Sequence, residues 1–271
     1  MLQLPLFQVD AFTDHVFGGN PAAICPVPIM FSDTVLQAIA TENNLSVTAF
    51  LLELPEDDAA DFMLRWFTPS SEVDLCGHAT LAAAQIVFSH LKAELKEVKF
   101  STRSGILGVE RGEERHTMRF PSLDPVPFTI PEGLGAAMGS EPASVWKSDK
   151  LDRDLMLVYS GADTVRALAP NLEALKAFAP YGFIATAPGI DGVDFVSRCF
   201  FPNHGIAEDP VTGSAHCVSA PYWARELGKK ELFAQQISKR GGDLWLRVSD
   251  DHVEISGQAV EFLQGVMFVP E

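Results

Sequence analysis

The sequence predicts an α+β protein made of two similar halves, and an internal repeat is the main reason. Asp61–Pro69 reads D-F-x-x-R-x-F-x-P, and Asp194–Pro202 reads the same 133 residues later. Two further matches follow in the same order at offsets of 136 and 137 residues. The further matching segments are 77–91 with 213–227 and 101–107 with 238–244. Ordered matches at about half the chain length indicate a tandem duplication.

Each half contains short β-rich segments and a glycine-led helix. The first helix is expected to run through Val35, Leu36, Ile39 and Ala40, with Ser32-Asp33 as its N-terminal cap and Glu42 in its last turn. The segments 63–67 and 195–201 are apolar and typical of strands. Apolar residues at helical spacing predict a helix to about Leu91. Its counterpart opens at Gly213, and Pro221 is expected to kink or shorten it.

Four prolines from position 121 to position 131, followed by several glycines, mark the boundary between the halves. We therefore predict an N-terminal domain over residues 1–118, joined by the final strand at about 261–271. The C-terminal domain is expected over residues 119–260. Two similar domains that face each other are expected to hold a ligand in the cleft between them.

Composition excludes several classes of function. The net charge of −16 would repel nucleic acid and anionic lipid, so neither partner is expected. No apolar run reaches the ~18 residues of a membrane span, and the N-terminus lacks signal-peptide features, so we expect a cytoplasmic protein. The four cysteines form no CxxC pattern, which argues against a metal site and a disulfide scaffold. Phosphate-binding glycine motifs and a GxSxG serine elbow are also absent from the sequence.

Four residues could carry chemistry around the expected cleft. Glu42 is either a solvated surface carboxylate or a carboxyl group that takes up and releases a proton. His78 begins a helix, where it is either a cap, a core hydrogen-bonding residue or a functional imidazole. Asp209 and Ser214 could be a turn residue and a helix cap. Because His78 and Ser214 occupy equivalent places in the repeat, two helix N-termini, at Gly77 and Gly213, would receive one small carboxylate.

The whole chain resembles the phenazine-biosynthesis isomerase family, which has the diaminopimelate-epimerase-like fold. The matching segments are 17–23, 42–46, 74–80, 100–105, 208–215 and 240–244. The resemblance implies two pseudo-symmetric domains, each a curved, mostly antiparallel sheet around a central helix, without metal or organic cofactor, and a homodimer. It also implies that Glu42 moves the proton, and that His78, Asp209 and Ser214 support it.

The expected function is therefore a cofactor-independent isomerase of a small carboxylate-bearing metabolite, similar to trans-2,3-dihydro-3-hydroxyanthranilate isomerase. Gly77, Gly213, Cys76 and Thr212 are the expected substrate-binding residues. One alternative is a thiol-dependent epimerase or racemase of an amino or hydroxy acid, since Cys76 precedes Gly77 as a catalytic thiol of this fold would. The repeat places Thr212 where its second thiol should be, which argues for the glutamate mechanism and for Cys76 as a packing residue. A non-catalytic small-molecule-binding protein of the same fold is the other alternative.

Overall fold

The computed structural model describes residues 1–56, 58–148, 150 and 153–269. The chain divides into two compact units. The first contains Met1–Arg119 and Ser256–Glu271, and the second contains Phe120–Ile255. No helix in the described part of the chain is long and apolar enough to cross a membrane.

The described part of the first unit holds two α-helices, and its strands come from both ends of the chain. Its elements are β1 (Leu2–Ala11), β2 (Asn20–Pro26), α1 (Asp33–Asn43), β3 (Val47–Glu53), β4 (Phe62–Phe67), β5 (Glu72–Val73), α2 (Gly77–Ile86), β6 (Glu97–Thr102), β7 (Gly105–Glu110) and β8 (His116–Pro121). Strand β8 leads into the second unit.

The second unit repeats this order with additional short helices. Its elements are β9 (Pro125–Phe128), α3 (Leu134–Met138), β10 (Ser144–Ser148), β11 (Asp154–Val158), α4 (Ala162–Ala167), α5 (Leu172–Leu175), β12 (Gly182–Pro188), β13 (Phe195–Phe201), β14 (Ile206–Asp209), α6 (Gly213–Leu227), β15 (Glu231–Gln236), β16 (Gly242–Val248) and β17 (His252–Gly257). Strand β17 leads back to the first unit, which β18 (Ala259–Val269) completes.

The two units pair their strands in the same sequence of directions. In the first, β18 and β1 are antiparallel, as are β1 and β2, β3 and β4, and β6 and β7, while β2–β3 and β4–β6 are parallel. In the second, β9–β10, β10–β11, β12–β13 and β15–β16 are antiparallel, while β11–β12 and β13–β15 are parallel. The α+β class predicted from the sequence is confirmed, and each unit repeats the pattern of the other.

The repeated aspartates show how closely the duplication is kept. The backbone N–H of Asp61 donates to Lys99 O at 2.9 Å, and Asp61 Oδ2 accepts from Lys99 N at 2.7 Å. In the second unit, Asp194 makes the same pair of bonds with Phe233, at 2.8 and 2.7 Å. Each aspartate thus joins the start of a strand to its parallel neighbour. This explains why the D-F motif occurs in both halves.

Helix α2 is buried on nearly every side because it is made mainly of small and apolar residues. Of its ten residues only Gln85 is not buried, and four of the others are alanines. A helix that is apolar all round must lie in a core. The last residues of the stretch predicted as one helix, Val87–Leu91, form a π-helical turn.

Helix α6 runs unbroken from Gly213 to Leu227 through Pro221, so the expectation that this proline shortens the helix is wrong. Proline lacks the N–H that would bond to the carbonyl four residues earlier. That carbonyl, Cys217 O, instead accepts from the backbone N–H of Leu123 at 3.0 Å. A neighbouring segment therefore satisfies the group that the proline leaves free.

Candidate active site

The N-terminus of α2 places Cys76 and His78 side by side. Cys76 occupies the cap position with extended backbone angles, φ −146° and ψ 100°, and its side chain does not cap the helix. Its Sγ lies 3.4 Å from His78 Nδ1 and 4.0 Å from Nε2. His78 is buried, and burial lowers the pKa of its imidazole to about 3. The ring is therefore neutral at physiological pH.

Asn20, which the sequence did not single out, contacts this histidine, and Ser46 in turn holds Asn20. Asn20 is fully buried at the start of β2, and its Nδ2 lies 3.3 Å from His78 Nδ1. The Ser46 hydroxyl donates to Asn20 Oδ1 at 2.8 Å. Both residues lie inside the sequence motifs at 17–23 and 42–46, but nothing local relates either of them to a histidine. The first unit thus assembles Ser46, Asn20, His78 and Cys76 into one polar cluster.

Two backbone turns deliver these side chains. Gly19 has φ +58°, and a Cβ at this position would lie 2.2 Å from Ala11 O, so only glycine fits. Asn44 ends α1 in the left-handed conformation with φ 50°, and its N–H donates to Ala40 O. The first turn sets the position of Asn20, and the second carries the chain from α1 to Ser46.

Glu42 lies in the last turn of α1, as predicted, with Ser32 at the N-cap position and Asp33 in the first turn. Its side chain is exposed. The Glu42 side chain forms no hydrogen bond or ion pair with the residues that the structure describes. Its carboxyl group is therefore free to approach a ligand, and it lies four residues from Ser46 in the same polar segment.

The N-terminus of α6 has the same backbone as that of α2 and different polar partners. Thr212 takes the cap position with φ −114° and ψ 93°, close to the angles of Cys76. Its hydroxyl donates to Asp209 Oδ2 at 2.5 Å. Gln236 accepts from Thr212 N at 2.8 Å and donates to Asp209 O at 2.7 Å. The second unit thus brings Asp209, Thr212 and Gln236 together.

Gln236 is a further residue that the sequence analysis did not find. It is the last residue of β15, and the last residue of the equivalent strand in the first half, β6, is Thr102. The repeat therefore contained no signal for it.

Ser214 follows Gly213 in the first turn of α6 and is half-buried. Its hydroxyl forms no hydrogen bond within the described ranges, so it can donate to a ligand. Two residues further, His216 is fully buried and its Nδ1 lies 2.9 Å from Thr212 O. A carbonyl only accepts, so Nδ1 carries the proton in this ring. Burial lowers the pKa of His216 to about 4.

An arginine–glutamate pair braces the approach to each helix. Arg65 binds Glu72 through two hydrogen bonds of 2.8 and 2.7 Å, and Arg198 binds Glu208 at 2.7 and 3.0 Å. The guanidinium groups also lie 5.1 and 5.0 Å from the ring centres of Phe67 and Phe200. Two-point arginine–carboxylate contacts fix orientation as well as distance. These braces hold β5 and β14, which lead to the two helix N-termini.

The three cysteines other than Cys76, which are Cys25, Cys199 and Cys217, are poorly suited to acid–base chemistry. Like Cys76, they are free thiols. All three are buried. Burial raises the pKa of Cys25 and Cys199 well above the ordinary value, and that of Cys217 to about 12. Cys217 therefore stays protonated at neutral pH. Among the described residues, no group of three or more His, Cys, Asp or Glu side chains could hold a metal ion.

Of the predicted site residues, Glu42, Cys76, Gly77 and His78 lie in the first unit. Asp209, Thr212, Gly213 and Ser214 lie in the second. Within the first unit the structure joins Cys76 to His78, and within the second it joins Asp209 to Thr212. The side chains of Glu42 and Ser214 form no hydrogen bond or ion pair with any described residue.

A distant match among solved structures shows the fold class of this chain. A predicted epimerase from Pseudomonas aeruginosa shares 21% identity with this chain at a TM-score of 0.71, covering 98% of this chain and 100% of the other. At that identity the likeness shows the fold alone, and the fold is the diaminopimelate-epimerase-like α+β architecture.

The family is then defined by closer matches. The sequence profile described as "Phenazine biosynthesis-like protein" matches residues 9–265. An uncharacterized isomerase of Pseudomonas aeruginosa is 46% identical over 266 residues, which cover 98% of this chain and 99% of the relative. The crystal structure of a phenazine biosynthesis protein of the PhzF family from Enterococcus faecalis has a TM-score of 0.92 and 41% identity, and covers 99% of this chain and 100% of its own. This chain belongs to the phenazine biosynthesis-like family.

Proposed function

We propose that this protein is an isomerase that moves a proton between two carbons of a small carboxylate-bearing metabolite, with Glu42 as the proton carrier. Membership of a family whose relatives include several named isomerases supports the isomerase class. The single observation that supports Glu42 as the proton carrier is its position in the structure. Its carboxyl group is exposed and has no described partner, and it lies in the segment that also supplies Ser46 to the His78 cluster.

The other residues take supporting roles in this proposal. His78 and Ser214 bind and orient the substrate, because each lies in the first turn of a buried helix, where backbone N–H groups favour an anion. Asp209 orients a polar or amino group of the substrate, and Thr212 and Gln236 hold Asp209 in place. The substrate class, a cyclic or unsaturated carboxylate similar to trans-2,3-dihydro-3-hydroxyanthranilate, follows from the family resemblance. That one ligand contacts both helix N-termini stays a prediction, as does the homodimer.

The test compares wild-type protein with Glu42→Gln, which keeps the shape of the side chain but cannot exchange a proton. Each is incubated with a bacterial metabolite extract in D2O, and mass spectrometry follows depletion of metabolites and deuterium uptake at carbon. Trans-2,3-dihydro-3-hydroxyanthranilate is assayed separately. Loss of a general acid/base typically costs ~10²–10⁴-fold in rate, and we expect Glu42→Gln to lose at least that much while it folds normally.

Glu226→Gln is the matched control, because Glu226 is also an exposed glutamate in the last turn of a helix. It should keep wild-type turnover. A Glu42→Gln protein with most of its activity would rule out the mechanism. If no ligand that binds the wild-type protein were converted or took up deuterium, the non-catalytic alternative would be favoured.

The contact between Cys76 and His78 favours a second candidate, a thiol-dependent epimerase or racemase. Two features weigh against it. The neutral imidazole of His78 resists protonation and so gives little stabilisation to a thiolate, and the equivalent cap position in the second unit is Thr212. Inactivation by iodoacetamide, with protection by the substrate, would support this candidate over the glutamate mechanism.

A further inference from the structure

The orientation of the Asn20 side chain determines which nitrogen of His78 carries the proton. The Ser46 hydroxyl donates to Asn20 Oδ1 at 2.8 Å, which directs the amide nitrogen toward the histidine ring. An amide nitrogen only donates hydrogen bonds, so His78 Nδ1, at 3.3 Å, must accept. In a neutral imidazole the other nitrogen, Nε2, then carries the proton.

The Nε2–H group is left without a strong acceptor. Its one contact in the part of the chain that the structure describes is Cys76 Sγ at 4.0 Å, which is the outer limit of a weak hydrogen bond to sulfur. A buried polar N–H without a good acceptor costs free energy, and a bound oxygen would remove that cost. A carboxylate oxygen of the substrate is an acceptor of the required kind.

We propose that Asn20, held by Ser46, is a positioning residue that fixes His78 as the Nε2–H tautomer and makes it a hydrogen-bond donor to a substrate oxygen. His78 then orients the substrate and takes no proton from carbon. The donor role rests on the proposed function, whereas the tautomer is a property of the protein without ligand.

This assignment also explains two motifs that the proton transfer alone does not use. The turn at Gly19 and the left-handed Asn44 deliver Asn20 and Ser46 from separate parts of the first unit. His216 in the second unit has the opposite tautomer, because its Nδ1 faces the carbonyl of Thr212. The same spectrum can therefore show both tautomers in one protein.

The experiment is a two-bond ¹H–¹⁵N correlation spectrum of the full chain labelled with ¹⁵N-histidine, recorded without ligand at pH 7. The spectra of His78→Gln and His216→Gln assign the two rings. We expect the pattern of Nε2–H for His78 and of Nδ1–H for His216. A wild-type spectrum with the His78 proton on Nδ1 would overturn the proposal.

Variants extend the test. Asn20→Asp replaces the donor with an acceptor of the same shape, so we expect a proton on His78 Nδ1. Ser46→Ala releases the Asn20 amide, so we expect a mixture of His78 tautomers.

Asn171→Asp is the control, because Asn171 accepts a backbone N–H at the cap of α5, as aspartate also can. The His78 pattern should not change in this variant. An Asn20→Asp protein that keeps the Nε2–H pattern would contradict the proposal, and if this variant does not fold, Ser46→Ala and the wild-type spectrum decide.

Turnover measurements distinguish a hydrogen-bond donor at position 78 from a general base. Glutamine at position 78 can donate a hydrogen bond but cannot accept a proton from carbon, so we expect His78→Gln to stay within ~10-fold of wild type and above His78→Ala. A fall of ~10²–10⁴-fold in His78→Gln would instead identify a general base. Retained activity in Glu42→Gln would remove the proposed function without changing the tautomer seen in the spectrum.

Discussion

The N-termini of α2 and α6 share a backbone and differ in what surrounds it. Both begin with a glycine after a residue in extended conformation, and both follow an arginine–glutamate brace. In the first unit, side chains from β2 and the α1–β3 turn reach a histidine in the first helical turn. In the second, a glutamine from β15 reaches the cap residue and the aspartate before it.

The difference shows what the duplication kept and what it changed. The backbone that presents a helix N-terminus is common to both units, so both can favour an anion. The side chains have diverged: the first unit offers an imidazole and the second a carboxylate with two hydroxyl groups. Such a divergence suits an asymmetric reaction, in which one carboxyl group moves a proton, better than a symmetric two-thiol reaction.

The braces should differ most in their contribution to stability. Arg198 donates to Glu208 and also to the backbone carbonyls of Val165, Arg166 and Leu168. We expect Arg198→Met to lower the free energy of unfolding by about 3 kcal/mol, because a half-buried carboxylate and three carbonyls lose their donor. Urea unfolding followed by circular dichroism measures this change.

The brace in the first unit should tolerate the same substitution better. Glu72 keeps an ion pair with Arg103 at 2.6 Å when Arg65 is removed, and Asp33 is exposed. We therefore expect Arg65→Met to cost about 1 kcal/mol. Equal losses in the two variants would show that the braces are equivalent despite their different surroundings.

The two cap residues should differ in turnover. Thr212→Val removes the hydrogen bond to Asp209 and should lower kcat about 10-fold, equivalent to about 1.4 kcal/mol in the barrier. Cys76→Ala should change kcat by less than about 3-fold, because the thiol takes no part in the proposed proton transfer. Steady-state assays with the metabolite that the wild-type protein depletes give both values.

Cys25→Ala is the control for loss of a buried thiol, since Cys25 lies fully buried in β2 away from the cluster. If Cys76→Ala alone lost ~10²–10⁴-fold, the thiol mechanism would replace the glutamate mechanism.

The smallest effect on stability at neutral pH is expected from replacing a buried histidine, which is His116 in the first unit and His216 in the second. Burial lowers the pKa of His116 to about 4, from an ordinary value of 6.5. Above pH 6.5 the ring is neutral in both the folded and the unfolded chain. As the pH falls from 6.5 toward 4, only the unfolded chain takes up the proton, so stability decreases by up to about 1.4 kcal/mol per pH unit.

Replacing His116 with phenylalanine should remove this contribution, so the free energy of unfolding should fall less steeply between pH 6 and 4.5 than in wild type. Turnover at pH 7 should not change. His216→Phe should flatten the same curve, but it also frees Thr212 O and should lower turnover. Parallel pH curves for His116→Phe and wild type would show that His116 is protonated equally in the folded and unfolded states.

Local patterns in the sequence determined much of the secondary structure of this protein and of its internal repeat. The repeated D-F motif, the glycine-led helices and the last turn of α1 depend on residues a few positions apart, and the structure has them as predicted. Because the family resemblance is spread over the same motifs, the candidate residues Glu42, His78, Asp209 and Ser214 could be named before the fold was known.

Only the tertiary structure decided which side chains meet. Asn20 and His78 are 58 positions apart, and Asn20 and Ser46 are 26 apart, so no local pattern could relate them. Pro221 stays inside a helix because Leu123, from another segment, takes the carbonyl that it frees. Hydrogen bonds in a buried site must be satisfied by whatever the fold brings near, and that depends on the packing of the whole unit.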